Sequence, residues 1–263
     1  MGMMEIYHYI ISSPVAYQRR TQIDKNFREY GIKPNFFNAI MGNQLTEQEL
    51  QQFTAKHNIL NKGAIGCALS HLEIYRQLLK SEEPYVFIFE DDVRLSPDFV
   101  QYFPKIKEFL NQMTKPAVLL LYRVKAPTKT VFSLGNGYKI LHALAGTAAH
   151  GYVINRKAAE NLLKAQNPIQ FEIDAWNLYY KLGYLTIYCI NHEFGYLDSN
   201  VSRNSVIEQV AEKERKSSRY VNQYKKEHFM TLYFRYPIWK RCILQLKRIQ
   251  RHFMEMYYDK ENK

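Results

Sequence analysis

Residues 85–93, YVFIFEDDV, place five apolar residues directly before three consecutive acids. An apolar run of this kind is typical of a strand that is buried on both faces of a sheet. Three adjacent carboxylates repel one another and are costly to remove from water, so we expect a positive partner near Glu90, Asp91 and Asp92. In open α/β sheets, ligands bind beyond the carboxyl ends of strands, and this acidic triplet (residues 90–92) is expected there.

Apolar runs with strand character alternate with helix signals along most of the chain. The expected strands are 4–11, 36–40, 85–90, 117–123, 138–144, 148–154 and 184–190, and the expected helices are 18–30, 46–57, 66–80, 97–111, 156–166 and 171–182. The segments 124–137 and 191–209 lack such signals and are predicted to be loops that set specificity. The alternation predicts an α/β domain, residues 1–209, in which helices cover a central sheet.

The composition favours a folded protein of a reducing compartment. The chain has 263 residues, of which 46% are hydrophobic, and this is enough for a sizeable core. Its cysteines, Cys67, Cys189 and Cys242, are odd in number and far apart, which argues against a disulfide framework and gives no metal-site spacing. The N-terminal stretch lacks the basic region of a signal peptide, and no stretch approaches about 18 uncharged apolar residues. We therefore expect a cytoplasmic protein.

The positive charge is concentrated near the C-terminus. The net charge of the chain is +11, and residues 211–263 contain 14 Lys and Arg against 6 Asp and Glu. Residues 210–263 are therefore predicted to form a basic, helical tail that follows the α/β domain. Such a tail favours an anionic partner, which could be nucleic acid, a membrane surface or an acidic substrate.

The spacing of the acidic triplet suits a hard divalent cation. In an extended chain Glu90 and Asp92 share one face and Asp91 points to the other. Two converging carboxylates are typical ligands of Mg²⁺ or Mn²⁺, with waters and substrate phosphates completing the shell. The alternative is a solvated loop, or an anion effect at the start of the helix that begins at Pro97.

The stretch GAIGCALSH, residues 63–71, matches no phosphate-binding or dinucleotide-binding motif. Taken alone, Gly63 and Gly66 indicate a tight turn and close packing at the start of a helix. His71 alone is more typical of a buried structural histidine than of a ligand.

Taken together, these motifs resemble glycosyltransferase family 25, the bacterial lipooligosaccharide galactosyltransferases that are related to collagen galactosyltransferase domains. The matching motifs are YHYIISSPVAYQRR (7–20), FFNAIMG (36–42), GAIGCALSH (63–71), FIFEDDV (87–93), AGTAAHGYVINRKAAENLL (145–163) and PIQFEIDAW (168–176). They cover residues 4–205 in the order and spacing of the family, and the pair GCALSH and EDD is specific. One departure is Ala64, where the family commonly has an acid.

The resemblance implies a GT-A-like fold that transfers a hexose, usually galactose, from a UDP-sugar to an acceptor hydroxyl of a lipooligosaccharide or lipopolysaccharide. It also implies inversion at the anomeric carbon and a divalent cation, Mn²⁺ or Mg²⁺. Asp92, assisted by Glu90 or Asp91, would hold this cation and neutralise the leaving diphosphate. Any of the three acids could instead bind the ribose or sugar of the donor.

Inversion requires a general base on the acceptor side of the anomeric carbon. The resemblance assigns this role to Asp174, which lies in FEIDAWN between apolar and aromatic residues. Glu172 and Asp198 are the alternative bases, and an acid in the first turn of a helix is the structural alternative for Asp174.

Basic residues are expected near the donor nucleotide. The resemblance places His71 in the donor site, and Arg20 could meet a donor phosphate or lie on the surface of its helix. His150 and His192 could each add a metal ligand, although lone histidines are more often structural.

The tail contains an apolar stripe with helical spacing, formed by Ile238, Cys242, Leu246, Ile249 and Phe253. Basic residues lie largely off this stripe, and the aromatic residues of 233–239 suit the headgroup region of a bilayer. We predict peripheral contact with an anionic membrane, at the inner face of the bacterial inner membrane, close to a glycolipid acceptor. The alternatives are a helix packed on the body with its basic face in water, and a dimer contact.

Four other functions compete with this interpretation. One is a metal-dependent nuclease, which would explain both the acidic triplet and the basic tail but would normally draw its acids from several segments of the chain. The same fold could use UDP-glucose or a UDP-N-acetylhexosamine as its donor. A protein that binds nucleic acid through the basic tail would leave the acidic triplet unexplained, and we expect no nucleic acid partner. A lectin-like module would bind sugars without donor turnover.

Overall fold

The computed structural model describes residues 4–124, 127–197 and 218–261. Its strands are β1 (His8–Ser12), β2 (Phe36–Asn38), β3 (Tyr85–Glu90), β4 (Val93–Leu95), β5 (Ala117–Leu120), β6 (Pro127–Gly135), β7 (Tyr138–Ala143), β8 (Gly151–Asn155), β9 (Thr186–Ile190) and β10 (Gly195–Leu197). Its helices are α1 (Tyr17–Glu29), α2 (Glu47–Phe53), α3 (Lys62–Lys80), α4 (Pro97–Asn111), α5 (Arg156–Ala165), α6 (Trp176–Lys181), α7 (Ser218–Phe234) and α8 (Ile238–Glu261), with a 3-10 turn at Gly42–Gln44.

Eight strands form one mixed sheet in the order β2-β1-β3-β8-β5-β9-β7-β6. The neighbours β2, β1 and β3 are parallel, whereas β8 runs antiparallel to β3 and β5. The strands β4 and β10 pair with each other in a separate two-stranded sheet. The large sheet with helices on both faces confirms the predicted α/β, GT-A-like fold class.

The central strand β3 contributes side chains to a core on each face of the sheet, because successive residues of a strand point in opposite directions. Val86 and Ile88 pack with residues of α3, α5 and α6. Phe87 and Phe89 pack with residues of α1 and α4 on the other face. Burial of each of these side chains contributes roughly 1.5–3 kcal/mol. This double burial explains why the run before the acidic triplet is apolar at every position.

Helix α3 begins four residues before its predicted start, because Asn61 caps it by accepting a hydrogen bond from a backbone N–H of the first turn. Gly63 and Gly66 therefore lie inside the helix rather than in a turn. The close packing expected at Gly66 is confirmed, since a Cβ atom there would lie 2.4 Å from the Ile40 carbonyl oxygen and 2.5 Å from the Gly42 nitrogen.

The prediction of a loop at 124–137 was wrong. Most of this segment forms β6, which pairs with β7 at the edge of the sheet. The helix expected at 171–182 is shorter than predicted and comprises only α6. The segment 191–209 contains β10, and residues 198–209 lie outside the described residues.

The described part of the tail is helical, as predicted, and contacts the body of the protein. Leu232 of α7 is buried in the core that includes α3 and α6, and Leu244 of α8 lies against Gly183. The apolar stripe of α8, by contrast, faces solvent, with exposed fractions of 70% for Ile238 and 67% for Leu246. Within residues 4–124, 127–197 and 218–261, no helix is long and apolar enough to cross a membrane. The predicted domain boundary at 209 and 210 lies outside the described residues.

Candidate active site

The acidic triplet lies at the end of the large sheet where strands β1 and β3 terminate. Because β1 and β3 are parallel neighbours, their carboxyl ends lie side by side, and Ile11 is the register partner of Glu90. We call this region, formed by the ends of β1 and β3 and the residues that contact them, the carboxyl edge. A ligand is expected at such an edge in an α/β sheet.

Asp91 is bound by two side chains of the first strand and helix. Its carboxylate accepts a hydrogen bond of 2.7 Å from the Ser12 hydroxyl and forms a 2.9 Å ion pair with Arg19. The positive partner expected near the acidic triplet therefore includes Arg19, which was missed in the sequence analysis. Its position in the first turn of α1, just beyond β1, is the signal that could have identified it.

Arg20 is engaged by the protein itself. Its guanidinium donates to the backbone carbonyls of Ser12 and Ser13 and to the Asn38 side chain, and it lies over the ring of Phe36. These contacts tie β1 to β2. A contact between Arg20 and a donor phosphate stays a prediction.

Asp92 of the acidic triplet has a carboxyl group whose pKa is shifted by its surroundings. Burial, reinforced by the nearby charges of Glu90 and Asp91, raises the pKa of Asp92 to about 6, although Arg19 acts in the opposite direction. One carboxylate oxygen, Oδ1, is buried and has no hydrogen-bond partner among the described residues. An unsatisfied buried oxygen in a field of negative charge is a suitable ligand for a cation.

Glu90 lies on the α3 side of the carboxyl edge, where it meets His71. The His71 Nε2 atom is 3.7 Å from a Glu90 carboxylate oxygen, and His71 is fully buried whereas Glu90 is partly exposed. The other ring nitrogen, Nδ1, lies 2.7 Å from the Tyr152 hydroxyl, which in turn bonds to the Tyr75 hydroxyl. His71 is thus beside the acidic triplet, and its direct contact with a donor stays a prediction.

Asp174 lies in the loop before α6, where the negative charge of Glu90 acts on its carboxyl group. Burial raises the pKa of Asp174, and the charges of Glu172 and Glu90 add to the rise, while a hydrogen bond from the Ala148 N–H opposes it. That hydrogen bond to Oδ2 is 2.8 Å long. Ala148 has a positive φ of 72°, and its carbonyl accepts a hydrogen bond from the Trp176 ring, so Asp174 and Trp176 together hold this loop. A carboxyl group with a raised pKa is suited to taking a proton.

The other predicted acids and histidines lie in different settings. Glu172 forms a 2.9 Å ion pair with Lys225 of α7, and Asp198 lies outside the described residues.

His150 is buried and stacks on Tyr122, with 4.0 Å between ring centroids. His192 is exposed and lies against Tyr138, with tilted rings whose centroids are 4.2 Å apart.

Two different groups of residues at the carboxyl edge could hold a divalent cation. Asp92 offers a buried oxygen without a partner, and neighbouring Glu90 is partly exposed, which together suit a hard cation that keeps waters. Within the described part of the chain, however, the three-residue group of close metal-binding atoms is a different one, Cys67, His71 and Glu90. The sequence analysis gave no metal role to Cys67.

Residues 5–176, which include Arg19, His71, the acidic triplet and Asp174, match the model of a family described as "Glycosyltransferase family 25 (LPS biosynthesis protein)". This chain belongs to glycosyltransferase family 25. The resemblance deduced from the motifs is thereby confirmed.

Curated relatives of this family-25 chain include bacterial and animal proteins. It is 30% identical over 165 residues to "Lipooligosaccharide biosynthesis protein lic2B" of Haemophilus influenzae, covering 59% of this chain and 61% of the relative. It is 28% identical over 163 residues to "Lacto-N-neotetraose biosynthesis glycosyltransferase LgtB" of Neisseria meningitidis serogroup B, covering 57% and 58%. A "Glycosyltransferase 25 family member" of Drosophila melanogaster is 26% identical over 159 residues, 57% of this chain and 26% of the relative.

The family-25 chain thus spans less than two thirds of the length of these relatives. Among solved structures, a "glycosyltransferase involved in the glycosylation of the major capsid of PBCV-1" aligns with a TM-score of 0.32 and 13% identity over 60% of this chain and 63% of that one.

Proposed function

We propose that this chain is an inverting glycosyltransferase that moves galactose from UDP-galactose to an acceptor sugar of a lipooligosaccharide or lipopolysaccharide. Membership of family 25 and the printed names of the relatives support the transferase class and the glycan. The observation that carries the proposal is the grouping of Asp92, Glu90 and Asp174, because two of these carboxyl groups have raised pKa values and both feel the charge of Glu90. Neighbouring acids whose pKa values are raised by burial and by a shared negative charge are typical of an active site.

Asp92 and Glu90 would hold the divalent cation, Mn²⁺ or Mg²⁺. When bound, such a cation neutralises the charge that develops on the leaving diphosphate. Asp92 would use its buried, unpartnered oxygen for this purpose. Arg19 holds Asp91 and thereby fixes the backbone that carries both proposed ligands. The bond between Ser12 and Asp91 adds a second restraint on the same segment.

Asp174 would act as the general base. It would accept the proton of the acceptor hydroxyl while that oxygen attacks the anomeric carbon from the side opposite to UDP. The Ala148 N–H restrains one carboxylate oxygen, Oδ2, and so orients the group. Burial keeps the carboxylate poorly solvated and raises its pKa, which makes it a better proton acceptor.

Helix α8 would bind the protein to the membrane that carries the acceptor, at the cytoplasmic face. Its apolar stripe is exposed, with 54% of Ile249 and 62% of Phe253 accessible to solvent. Lys247 and Arg248 are exposed beside this stripe and would contact anionic headgroups. A stripe that faced the body would leave no apolar surface for a bilayer.

The experiment is to measure UDP release from UDP-galactose, UDP-glucose and UDP-N-acetylhexosamines, with Mn²⁺ or with EDTA. The wild type is compared with Asp92→Ala and with the control Asp24→Ala, which removes a partly exposed acid of α1 paired to Arg28. We expect turnover of UDP-galactose that EDTA and Asp92→Ala each reduce by about 10²–10⁴-fold and that Asp24→Ala preserves.

Other results would change the proposal in defined ways. A preference for UDP-glucose or a UDP-N-acetylhexosamine would keep the transferase and replace the donor. Turnover that persists in EDTA but not in Asp92→Ala would mean that Asp92 binds the donor without a metal. If calorimetry detects no UDP binding and no donor is turned over, the transferase assignment is wrong for this chain.

A further inference from the structure

Helix α3 and strand β3 bring together a thiol, an imidazole and a carboxylate. Cys67 and His71 are four residues apart on α3, so they lie on the same face of the helix, one turn apart. Glu90 ends β3 opposite them. One ligand atom from each residue, the Cys67 Sγ, a His71 ring nitrogen and a Glu90 oxygen, lies within 4.8 Å of the other two.

His71 is arranged as a metal-binding histidine. Its Nε2 atom is buried and has no hydrogen-bond partner among the described residues, and it faces Glu90. Its Nδ1 atom lies 2.7 Å from the Tyr152 hydroxyl, and this hydroxyl lies 2.6 Å from that of Tyr75. If Nδ1–H donates to Tyr152 and Tyr152 donates to Tyr75, Nε2 is left with a lone pair. A hydrogen bond of this kind on the far nitrogen is typical of histidine ligands of metals.

The distances suit a tetrahedral ion of zinc size. Bonds of about 2.0–2.3 Å to nitrogen, oxygen and sulfur separate neighbouring ligand atoms by roughly 3.3–3.8 Å. The His71 Nε2 and Glu90 oxygen are already 3.7 Å apart. The pairs that involve Cys67 need to shorten by no more than about 1 Å to enter this range. Three protein ligands with one partly exposed side, at Glu90, leave a fourth position for water.

The chemistry of the three ligands selects the ion. A thiolate and an imidazole favour Zn²⁺ and related borderline cations, whereas Mg²⁺ and Mn²⁺ prefer oxygen ligands. Asp92 is not part of this group, so the two carboxylates proposed for a hard cation do not supply the same coordination sphere. Glu90 is the residue that belongs to both.

We propose that Cys67, His71 and Glu90 form a binding site for a zinc-like divalent cation. Binding releases the thiol proton of Cys67 to solvent and forms a thiolate–metal bond. The ion would fix the orientation of Glu90 at the carboxyl edge and would link α3 to β3. The site does not depend on the transfer reaction proposed above.

The test is a titration of the metal-free, full-length protein with Co²⁺, which replaces Zn²⁺ and is coloured. We expect a near-ultraviolet charge-transfer band from the thiolate, together with the visible bands of a four-coordinate ion, saturating at a single equivalent. Added Zn²⁺ should abolish both. The absence of the charge-transfer band in the wild type would overturn the proposal, whatever the transferase assay shows.

Variants locate the site. Cys67→Ser should lose the charge-transfer band, whereas the control Cys242→Ser, which changes an exposed thiol of α8, should keep it. Tyr152→Phe should keep the band but weaken Co²⁺ affinity by about 10–100-fold, because it removes the hydrogen-bond partner of His71. Circular dichroism checks that each variant is folded. If folded Cys67→Ser retains the band, the thiolate comes from another cysteine and the assignment to Cys67 is wrong. If Cys67→Ser does not fold, the wild-type spectrum and Tyr152→Phe decide the question.

Discussion

The carboxyl edge and helix α8 depart from the usual distribution of residues in opposite directions. At the carboxyl edge and in the nearby loop before α6, acids are removed from water, and burial raises the pKa values of Asp92 and Asp174. On α8, large apolar side chains remain in water, with Ile238 and Leu246 more than half exposed. Buried polar groups and clustered exposed apolar groups are the two exceptions that most often mark a functional surface.

The two exceptions also differ in the kind of partner they require. Buried carboxylates are stabilised by a cation or by a proton, which are small partners that can enter a closed edge. An exposed apolar stripe is stabilised only by a second apolar surface, which must be large. The body of this molecule is therefore suited to small charged ligands, and the tail is suited to a surface such as a bilayer.

The strongest test of the carboxyl edge is Asp174→Asn. The amide oxygen can still accept the hydrogen bond from Ala148, so the loop should stay in place while the proton acceptor is lost. We expect turnover of the donor and acceptor to fall by about 10²–10⁴-fold with little change in donor affinity. Steady-state kinetics with saturating UDP-sugar, together with calorimetry of UDP binding, measure both quantities.

The matched control is Glu172→Gln, since Glu172 is the nearby alternative base and is paired with Lys225. It should keep most of the turnover. If Glu172→Gln is inactive and Asp174→Asn is active, the base is Glu172, and the raised pKa of Asp174 then reflects its burial in a structural role.

The strongest test of α8 is the double substitution Leu246→Glu and Ile249→Glu. Both side chains are more than half exposed, so the fold should tolerate the change. Burial of a leucine or isoleucine contributes roughly 1.5–3 kcal/mol when complete and less at a bilayer surface. We therefore expect binding to anionic lipid vesicles to weaken by about 10–100-fold, while turnover of a water-soluble acceptor is unchanged. Vesicle co-sedimentation measures the first effect.

Gln250→Glu is the control for charge, because it adds an acid to an exposed position of the same helix without removing apolar surface. It should weaken vesicle binding by only about the contribution of one charge, roughly 1 kcal/mol. Equal losses in both variants would mean that the tail binds by charge alone. Vesicle binding that is unaffected by either would favour a second copy of the chain as the partner of the stripe, which light scattering detects.

The sequence predicted those parts of the fold that depend on local pattern. The apolar run of β3 and the carboxyl-terminal position of the acidic triplet both follow from neighbouring residues. Strand β6 was missed because it lies at the sheet edge, pairs with irregular register and has exposed, polar residues. Its apolar pattern is therefore weak, and its position is fixed by β7 instead.

The site was predictable only in part, for a related reason. The acids at 90–92 are adjacent in the chain, so their grouping was visible. The ion pair between Arg19 and Asp91 joins residues 72 positions apart, and the group of Cys67, His71 and Glu90 depends on how α3 packs beside β3. No spacing along a single chain reports such contacts. The spacing of the cysteines along the chain therefore gave Cys67 no metal role.

A smaller effect tests the electrostatic cost at the carboxyl edge. The pKa of Asp92 is raised from its usual value of 3.8 to about 6 in the fold. The folded state therefore holds this proton more tightly than the unfolded state, so stability falls as pH rises through the window between these values. Without metal, the free energy of unfolding of Asp92→Asn should exceed that of the wild type by about 1–3 kcal/mol near pH 8. This difference should disappear towards about pH 4.

Thermal unfolding in EDTA measures this gain, which corresponds to several degrees in Tm for a chain of this size. Asp24→Asn, which changes a partly exposed acid on the surface of α1, should shift the free energy of unfolding by no more than about 0.5 kcal/mol. A wild type that is as stable as Asp92→Asn at every pH would show that the buried oxygen of Asp92 costs nothing, and the argument for a cation there would lose its electrostatic basis.

The smallest expected effect concerns one contact between the tail and the body, the ion pair of Lys225 in α7 with Glu172. The pair is 2.9 Å long, but about a third of each side chain is exposed, 33% and 34%. Solvent screens a pair of this kind, so Lys225→Met should lower the free energy of unfolding by only about 0.5–1 kcal/mol, and less at high salt.

Chemical denaturation at low and high salt measures the loss, with Lys226→Met as the control on the same helix. A loss of several kcal/mol that persists in high salt would mean that the tail and the body unfold as one unit, so that α8 could not move independently of the carboxyl edge. A loss within the expected range leaves the apolar core around Leu232 as the main contact that holds α7 to the body.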